Sequence, residues 1–256
     1  MNPHHTWLDL FRGWHHVEDF AAHHLEREGP FLVFGATHFT LSHVACAVLV
    51  VALLTVAAVC YRGAIAGGGD DRIVPPRGLG VRSLLEMFTD AVLNMMTGVM
   101  GEHHARRFLP LVGSLAFFIF LSNLLGLIPG FLPPTDTLKT NFALAACVFV
   151  MTHVYGVGAH GVGYFKHFLG PVWYLIPLML PIELISHIAR PVSLSLRLLG
   201  NVAADHKVVT AFFVMVPLLV PLPFMLLGVV VAIVQTLVFS LLTTVYISMA
   251  VAEEEH

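Results

Sequence analysis

The sequence predicts an all-α integral membrane protein: about five membrane-crossing helices, one amphipathic helix in the interface, and a long inclined hairpin formed by the last two crossings. Three observations predict it. Of 256 residues, 57% are hydrophobic and only 11% charged, against about 25% charged in a soluble domain. The mean hydropathy is +0.82. The apolar residues also gather into runs long enough to cross a hydrocarbon core of about 30 Å, which takes about 20 helical residues. Lys and Arg total 13 and the formal net charge is -3, which excludes a basic nucleic-acid binder as well as a disordered chain. Three cysteines without CxxC spacing exclude a disulfide-stapled module.

Residues 1–38 form a polar, His-rich external segment. Asp9, Glu18, Asp19, Glu26 and Glu28 interrupt any apolar run there, so it is not a cleavable signal peptide. Its His pairs at 4–5, 15–16 and 23–24 have no accompanying ligand pattern and are expected to be solvated; no metal is assigned. Residues 39–256 read as a single helical membrane domain without internal repeats. Leu41–Tyr61 is the first span, interrupted only by His43, and Gly63–Pro76 reads as a flexible link. Over Val81–Gly101, residues Leu84, Leu85, Phe88, Val92, Met95, Met96 and Val99 oppose Arg82, Glu86, Asp90 and Asn94. That periodicity predicts an interfacial amphipathic helix over 81–101.

Phe108–Pro129 is a second span without charge. Asn141–His160 is a third, whose Gly156 and Gly158 predict close packing against a neighbour. Trp173–Val216 and Leu222–Ala252 would run about 66 and about 46 Å as helices. Both exceed the bilayer, so they are expected to tilt or break. The turn Pro217-Leu-Leu-Val-Pro221-Leu-Pro223 joins them, making 173–252 the inclined hairpin. Cys46, Cys60 and Cys147 lie in apolar runs and read as small buried hydrophobes. Arg62, Arg72, Arg77, Arg82, Arg106, Arg107 and Lys166 flank one side of the spans. The positive-inside rule therefore places the N-terminus outside and Glu253-Glu-Glu-His256 inside.

An ionisable residue within a membrane is costly and usually functional. With Arg197 at zero on a helical wheel, Arg190 falls at about 20° and both Glu183 and Asn201 at about 40°. His187 and Asp205 fall at about 80°, and Ser193 at about -40°. Two acids, two arginines, an Asn, a Ser and a His thus share one stripe. Glu183 and Arg190 admit a purely structural role, completed by His187 or Ser186. Arg197 has no acid at i±3 or i±4 and cannot lose its proton. It therefore requires a carboxylate from elsewhere or a watery cavity. On the last helix, Gln235 is the sole amide or charged side chain, with Gly228 and Tyr246 within about 20° of it.

The run Pro181-Ile-Glu-Leu-Ile-Ser-His-Ile-Ala-Arg-Pro-Val-Ser-Leu-Ser-Leu-Arg-Leu-Leu-Gly-Asn201 resembles the signature of subunit a of the F-type ATP synthase membrane sector. Gln235, the tail from Tyr246 and Leu121-Ser-Asn123-Leu-Leu-Gly-Leu-Ile-Pro129 also match, so the similarity runs from about residue 39 to the C-terminus. The resemblance implies that Arg197 is the essential stator charge facing the carboxylates of a rotating subunit c ring. It further implies two offset aqueous half-channels. Asn201, Asp205, His206 and Gln235 would line the outer one; Glu183, with His187 and Arg190, would line the inner one. Ser193, Gly228, Tyr246 and Asn123 would support the path. Where many bacterial members read Gly-Glu, this chain has Asp205-His206, and Gly228 replaces a histidine. The expectation is that Asp205, beside the Gly228 gap, takes over the relay. His206 lies about 180° from Arg197, and Lys207 is expected to snorkel towards headgroups.

The implied partners are the subunit c ring, the subunit b peripheral stalk, the remaining synthase subunits and the lipid bilayer, with no nucleic acid and no cofactor. The implied location is the bacterial inner membrane. A self-contained secondary transporter would show inverted repeats and interrupted helices, which the sequence lacks. A non-conducting scaffold is the other rival, and proton flux separates it from a working stator. ATP chemistry would belong to other subunits, since the chain has no nucleotide loop.

Overall fold

The computed structural model describes residues 41–66, 80–128, 131–164, 176–215 and 221–251. The His-rich segment, most of the link, Lys166 and the acidic tail lie outside the described residues. Five α-helices are described: α1 (Leu41–Ala66), α2 (Val81–Gly126), α3 (Leu138–His160), α4 (Ile176–Met215) and α5 (Pro221–Val251). Short 3-10 turns lie at Pro134–Asp136 and Gly161–Gly163. Helices α1, α2, α3 and α5 are long and apolar enough to cross a membrane. Helix α4 is 40 residues long and carries the charged stripe. The protein is an all-α membrane protein.

Helix α1 continues through Gly63-Ala-Ile-Ala66, so the link starts later than the glycine at 63 suggests. The 46 residues of α2 are two limbs, broken at Gly101 with φ 77° and ψ 162°. That backbone region is essentially open to glycine alone, and the break falls where the amphipathic periodicity ends. The limb over 81–100 folds back along the limb over 102–126. Phe88 lies 4.3 Å from Phe117 and 5.2 Å from Phe120, ring to ring. Val92 and Met96 are buried with Ala105, Phe108, Val112 and Ala116. The middle of the amphipathic limb's apolar face is therefore covered by the span that follows it, while Leu84 and Val99 of that face stay exposed. Arg82–Glu86 and Arg106–Glu102 pairs at 2.8 and 2.9 Å support the start of each limb.

Helix α3 returns antiparallel to the second limb of α2. A Cβ at Gly156 would meet the Tyr164 ring at 2.5 Å, so this glycine admits the ring, whereas Gly158 faces open space. The close packing expected of both glycines holds for Gly156 only. Neither long helix breaks: α4 runs through Pro181 and Pro191, and α5 through 31 residues. At about 60 and about 46 Å they fit a core of about 30 Å only if inclined or projecting. Pro221, Leu222 and Pro223 belong to α5 rather than to the turn before it, as suits prolines in a first helical turn. Cys46 is buried as expected, but Cys60 and Cys147 are exposed; their helices turn those faces outward from the bundle.

The bundle has two ends. The Gly101 tip, the end of α3, the first half of α4 and the end of α5 share one. There Phe108 meets Tyr155 at 4.8 Å, and Ile247 packs with Ala105 and Phe108. At the other end, Asn123, Leu127 and Pro133 meet Val202 and Asp205.

Candidate functional site

Helix α4 carries three functional zones in sequence, and its neighbours complete each one. The central zone is Arg197. Its side chain is exposed on the isolated chain, and no carboxylate among the described residues lies within ion-pairing distance of it. Its exposed neighbours include the small or polar Ser193, Gly200, Asn201 and Ala204, along with Leu196. A Cβ at Gly200 would meet nothing within 4 Å, so the glycine answers to no packing demand inside the described chain. The opposite side of α4 is sealed. Leu194 and Leu198 are 3% and 0% exposed and pack with Phe239, Leu115, Ile119 and Val148. A permanent cation therefore sits on an open face, with an apolar layer behind it.

One polar zone lies toward the C-terminal end of α4. Asn201 donates from Nδ2 to Gln235 Oε1 at 2.6 Å, joining α4 to α5 through residues 34 apart in the chain. Gln235 is buried, so the bond satisfies an amide in an otherwise apolar helix. Asp205 approaches Gly228 so closely that an added Cβ would lie 2.6 Å from Asp205 Oδ2 and would also strike Leu127. A cavity of about 20 Å³ is lined by Asn123, Leu127, Pro133, Val202 and Asp205, among others. That is room for about one water molecule.

Asn123 also accepts the Thr135 hydroxyl at 2.8 Å, and Asn141 donates to the Thr135 carbonyl at 2.7 Å. Asn123 Nδ2 and Asn141 Oδ1 are buried and have no hydrogen-bond partner among the described residues. Buried amides at this density are costly unless they serve polar neighbours. The side chain of His206 lies outside the described residues, and Lys207 is exposed.

The second polar zone lies toward the N-terminal end of α4. His187 is buried, with Nδ1 3.3 Å from Glu183 Oε1 and 3.1 Å from the Glu183 carbonyl oxygen. Of the two completions open in the sequence, His187 therefore engages Glu183. Arg190 turns away to lie over the Tyr246 ring at 5.3 Å, a cation–π contact. Two residues here escaped the sequence reading. His153 on α3 faces His187, ring centroids 5.5 Å apart, and Tyr164 lies 5.9 Å from His153. The available signal for His153 was an imidazole in the middle of an apolar span. Tyr164 lies beyond the end of α3; burial pushes its phenol pKa up from 10.0, with Arg190 pulling it down and Glu183 up. The hydroxyl accordingly stays protonated at neutral pH.

The two zones do not merge. Glu183 and Asp205 are 22 positions apart, about 33 Å along a helix, and the apolar layer at Leu198 and Phe239 lies between them.

The model of the family described as "ATP synthase A chain" matches residues 37–248. The chain is 52% identical over 177 residues to "ATP synthase subunit a 2" of Syntrophotalea carbinolica, covering 69% of this chain and 75% of that one. It is 51% identical over 177 residues to "ATP synthase subunit a" of Trichlorobacter lovleyi, with 69% and 76% covered. It is 47% identical to "ATP synthase subunit a" of Geobacter sulfurreducens over the same length and the same shares.

Proposed function

The chain belongs to the ATP synthase A chain family, and from that premise we propose that it is the proton-conducting stator facing the carboxylates of a subunit c ring. Membership makes it a component of the ATP synthase membrane sector and a multi-pass membrane protein. The finer reading rests on one observation: Arg197 is exposed, permanently charged and without an ion-paired carboxylate among the described residues, at a position on α4 between two separate polar zones. The partner it calls for is an acid on another chain. The small exposed neighbours Ser193, Gly200 and Ala204 suit close approach of that chain's helices.

The zone with Asn201, Asp205, Gln235 and Asn123 serves as the outer half-channel, and the zone with Glu183, His187 and Arg190 as the inner one. Ser193, Gly228 and Tyr246 shape these paths, and His206 assists Asp205. The N-terminus lies outside and the C-terminus in the cytoplasm of a bacterial cell, with subunit b and the remaining synthase subunits completing the assembly. A ring carboxylate in lipid must be neutral, because burying its charge is expensive. Beside Arg197 the neighbouring cation lowers its pKa and favours ionisation. Its proton leaves through the inner zone, a fresh proton arrives through the outer zone, and the neutral site re-enters lipid. Each charge moved across 100 mV contributes about 2.3 kcal/mol of directional bias. Arg197 also repels a hydrated proton that would pass straight between the zones.

The test is Arg197→Ala in the assembled synthase, reconstituted in vesicles. ATP synthesis should be abolished while passive proton leak persists or rises. Full coupled synthesis by that variant would remove the basis of the proposal. Arg197→Lys should also fail to restore full coupling, because a desolvated lysine can lose its proton and with it the barrier.

A further inference from the structure

We propose that His153 on α3 is a proton-relay residue, and that it forms with His187 an imidazole pair that carries one proton at a time along the inner exit path. The inference rests on the stator reading above and extends it to a second helix. Three geometric facts carry it. The two rings meet at 5.5 Å in a T-shaped arrangement at 75°. His153 Nδ1 lies 2.8 Å from the Phe149 carbonyl oxygen, and His187 Nδ1 3.1 Å from that of Glu183. A carbonyl can only accept, so in both rings Nδ1 carries the hydrogen and Nε2 is the basic nitrogen. Finally, the Glu183 carboxylate stands 3.3 Å from His187 Nδ1, where it holds that tautomer and stabilises the imidazolium that forms when Nε2 takes a proton.

The charged and titratable groups around the pair set its occupancy. Glu183 and Arg190 come from α4, Tyr164 follows α3, and Tyr246 of α5 lies under Arg190. One carboxylate and one guanidinium oppose each other, so the pair sees little net charge from its surroundings. Two protonated rings at the observed separation of 5.5 Å would repel, so the pair carries one proton at a time. In each transfer one N–H bond forms at the acceptor Nε2 as one breaks at the donor Nε2, and both Nδ1–H bonds persist. His153 is held for this by its ring contact with Phe149 at 4.2 Å. It stands seven residues, about 10 Å, from the end of α3, and so hands protons toward that end of the bundle.

The test uses the whole synthase in vesicles, with proton pumping and ATP synthesis measured while the pH of each side is varied separately. The variants are His153→Phe, His153→Gln, His187→Phe and the double His153→Phe/His187→Phe, with Arg197→Ala as the reference. Both His153 variants should slow turnover about tenfold and flatten the dependence on inner pH, leaving that on outer pH unchanged. The double variant should be no slower than His187→Phe alone, as expected of groups acting in series. If His153→Gln kept the wild-type inner profile, hydrogen bonding alone would account for the residue and the relay would be overturned. Unchanged profiles in both His153 variants, with Arg197→Ala uncoupled, would overturn the relay and leave the stator reading intact. Coupled synthesis in Arg197→Ala would overturn both.

Discussion

Asp205 fills the space that a side chain at position 228 would need. A Cβ there would lie 2.6 Å from Oδ2 and collide with Leu127 on the far side, so the carboxylate and the missing side chain are one arrangement. Two variants should therefore converge. Asp205→Asn removes the titrating group and should cut proton flux at least about tenfold, within the usual range for loss of an acid–base group. Gly228→Ala leaves the acid in place but pushes it off its position, and should slow flux in the same direction without preventing assembly. ATP-driven pumping at the wild-type rate by Asp205→Asn would reject the assignment. This neighbourhood was legible in part: helical periodicity placed Asp205 on the stripe and Gly228 on the Gln235 face of the last helix, while the pairing of the two was implied only by the family resemblance. That Asn201 and Gln235 share one path was implied by the same resemblance, but the bond between them was not legible, because it joins two helices. His153 and Tyr164 were not, because their partners sit on another helix, and no wheel drawn on one element shows what an adjacent element turns toward it.

At the scale of the element, Gly101 sets the course of α2. Its φ of 77° and ψ of 162° allow the limb over 81–100 to fold back on the limb over 102–126, and a Cβ there is strained whatever space surrounds it. Gly101→Ala should destabilise this hairpin by about 1–3 kcal/mol, read as a lower thermal midpoint of the purified complex. Gly98 gives the contrast within the same helix. It is helical, exposed, and has nothing within 4 Å of an added Cβ. Gly98→Ala should therefore stabilise, by up to about 1 kcal/mol from helix propensity. Equal effects from the two alanines would show that backbone conformation is not what Gly101 supplies. The helical extent of each limb was legible from periodicity and from the charge-free span that follows. The fold-back was not, since an apolar face is equally well covered by lipid or by another helix, and only the Phe88 contacts with Phe117 and Phe120 identify which covers it.

For the whole molecule, the arrangement must conduct protons to and from one face without conducting them across. Arg197 can repel protons only on its own side of α4. Behind it the path is closed by Leu194, Leu198 and Phe239, packed against Leu115 and Ile119 of α2 and Val148 of α3. A proton crossing that layer would need either a hydrogen-bonded chain or a desolvated charge; the apolar side chains supply neither, and the nearby hydroxyls of Ser195, Thr236 and Thr243 are spent on carbonyls of their own helices. Phe239→Ser should break it at one point, because the lost ring leaves a space and the hydroxyl gives water a partner within it. Lowering the barrier by as little as about 1.4 kcal/mol raises a rate about tenfold. The variant should thus dissipate a pH gradient several-fold faster than wild type in vesicles without ATP, with Arg197 intact. Phe239→Leu, which keeps the layer apolar, should hold the gradient. Combining Phe239→Ser with Arg197→Ala should leak faster than either alone if the cation and the apolar layer guard parallel routes. A double variant no leakier than Arg197→Ala would mean that a single barrier, the guanidinium, separates the two zones and that the layer behind it serves packing only.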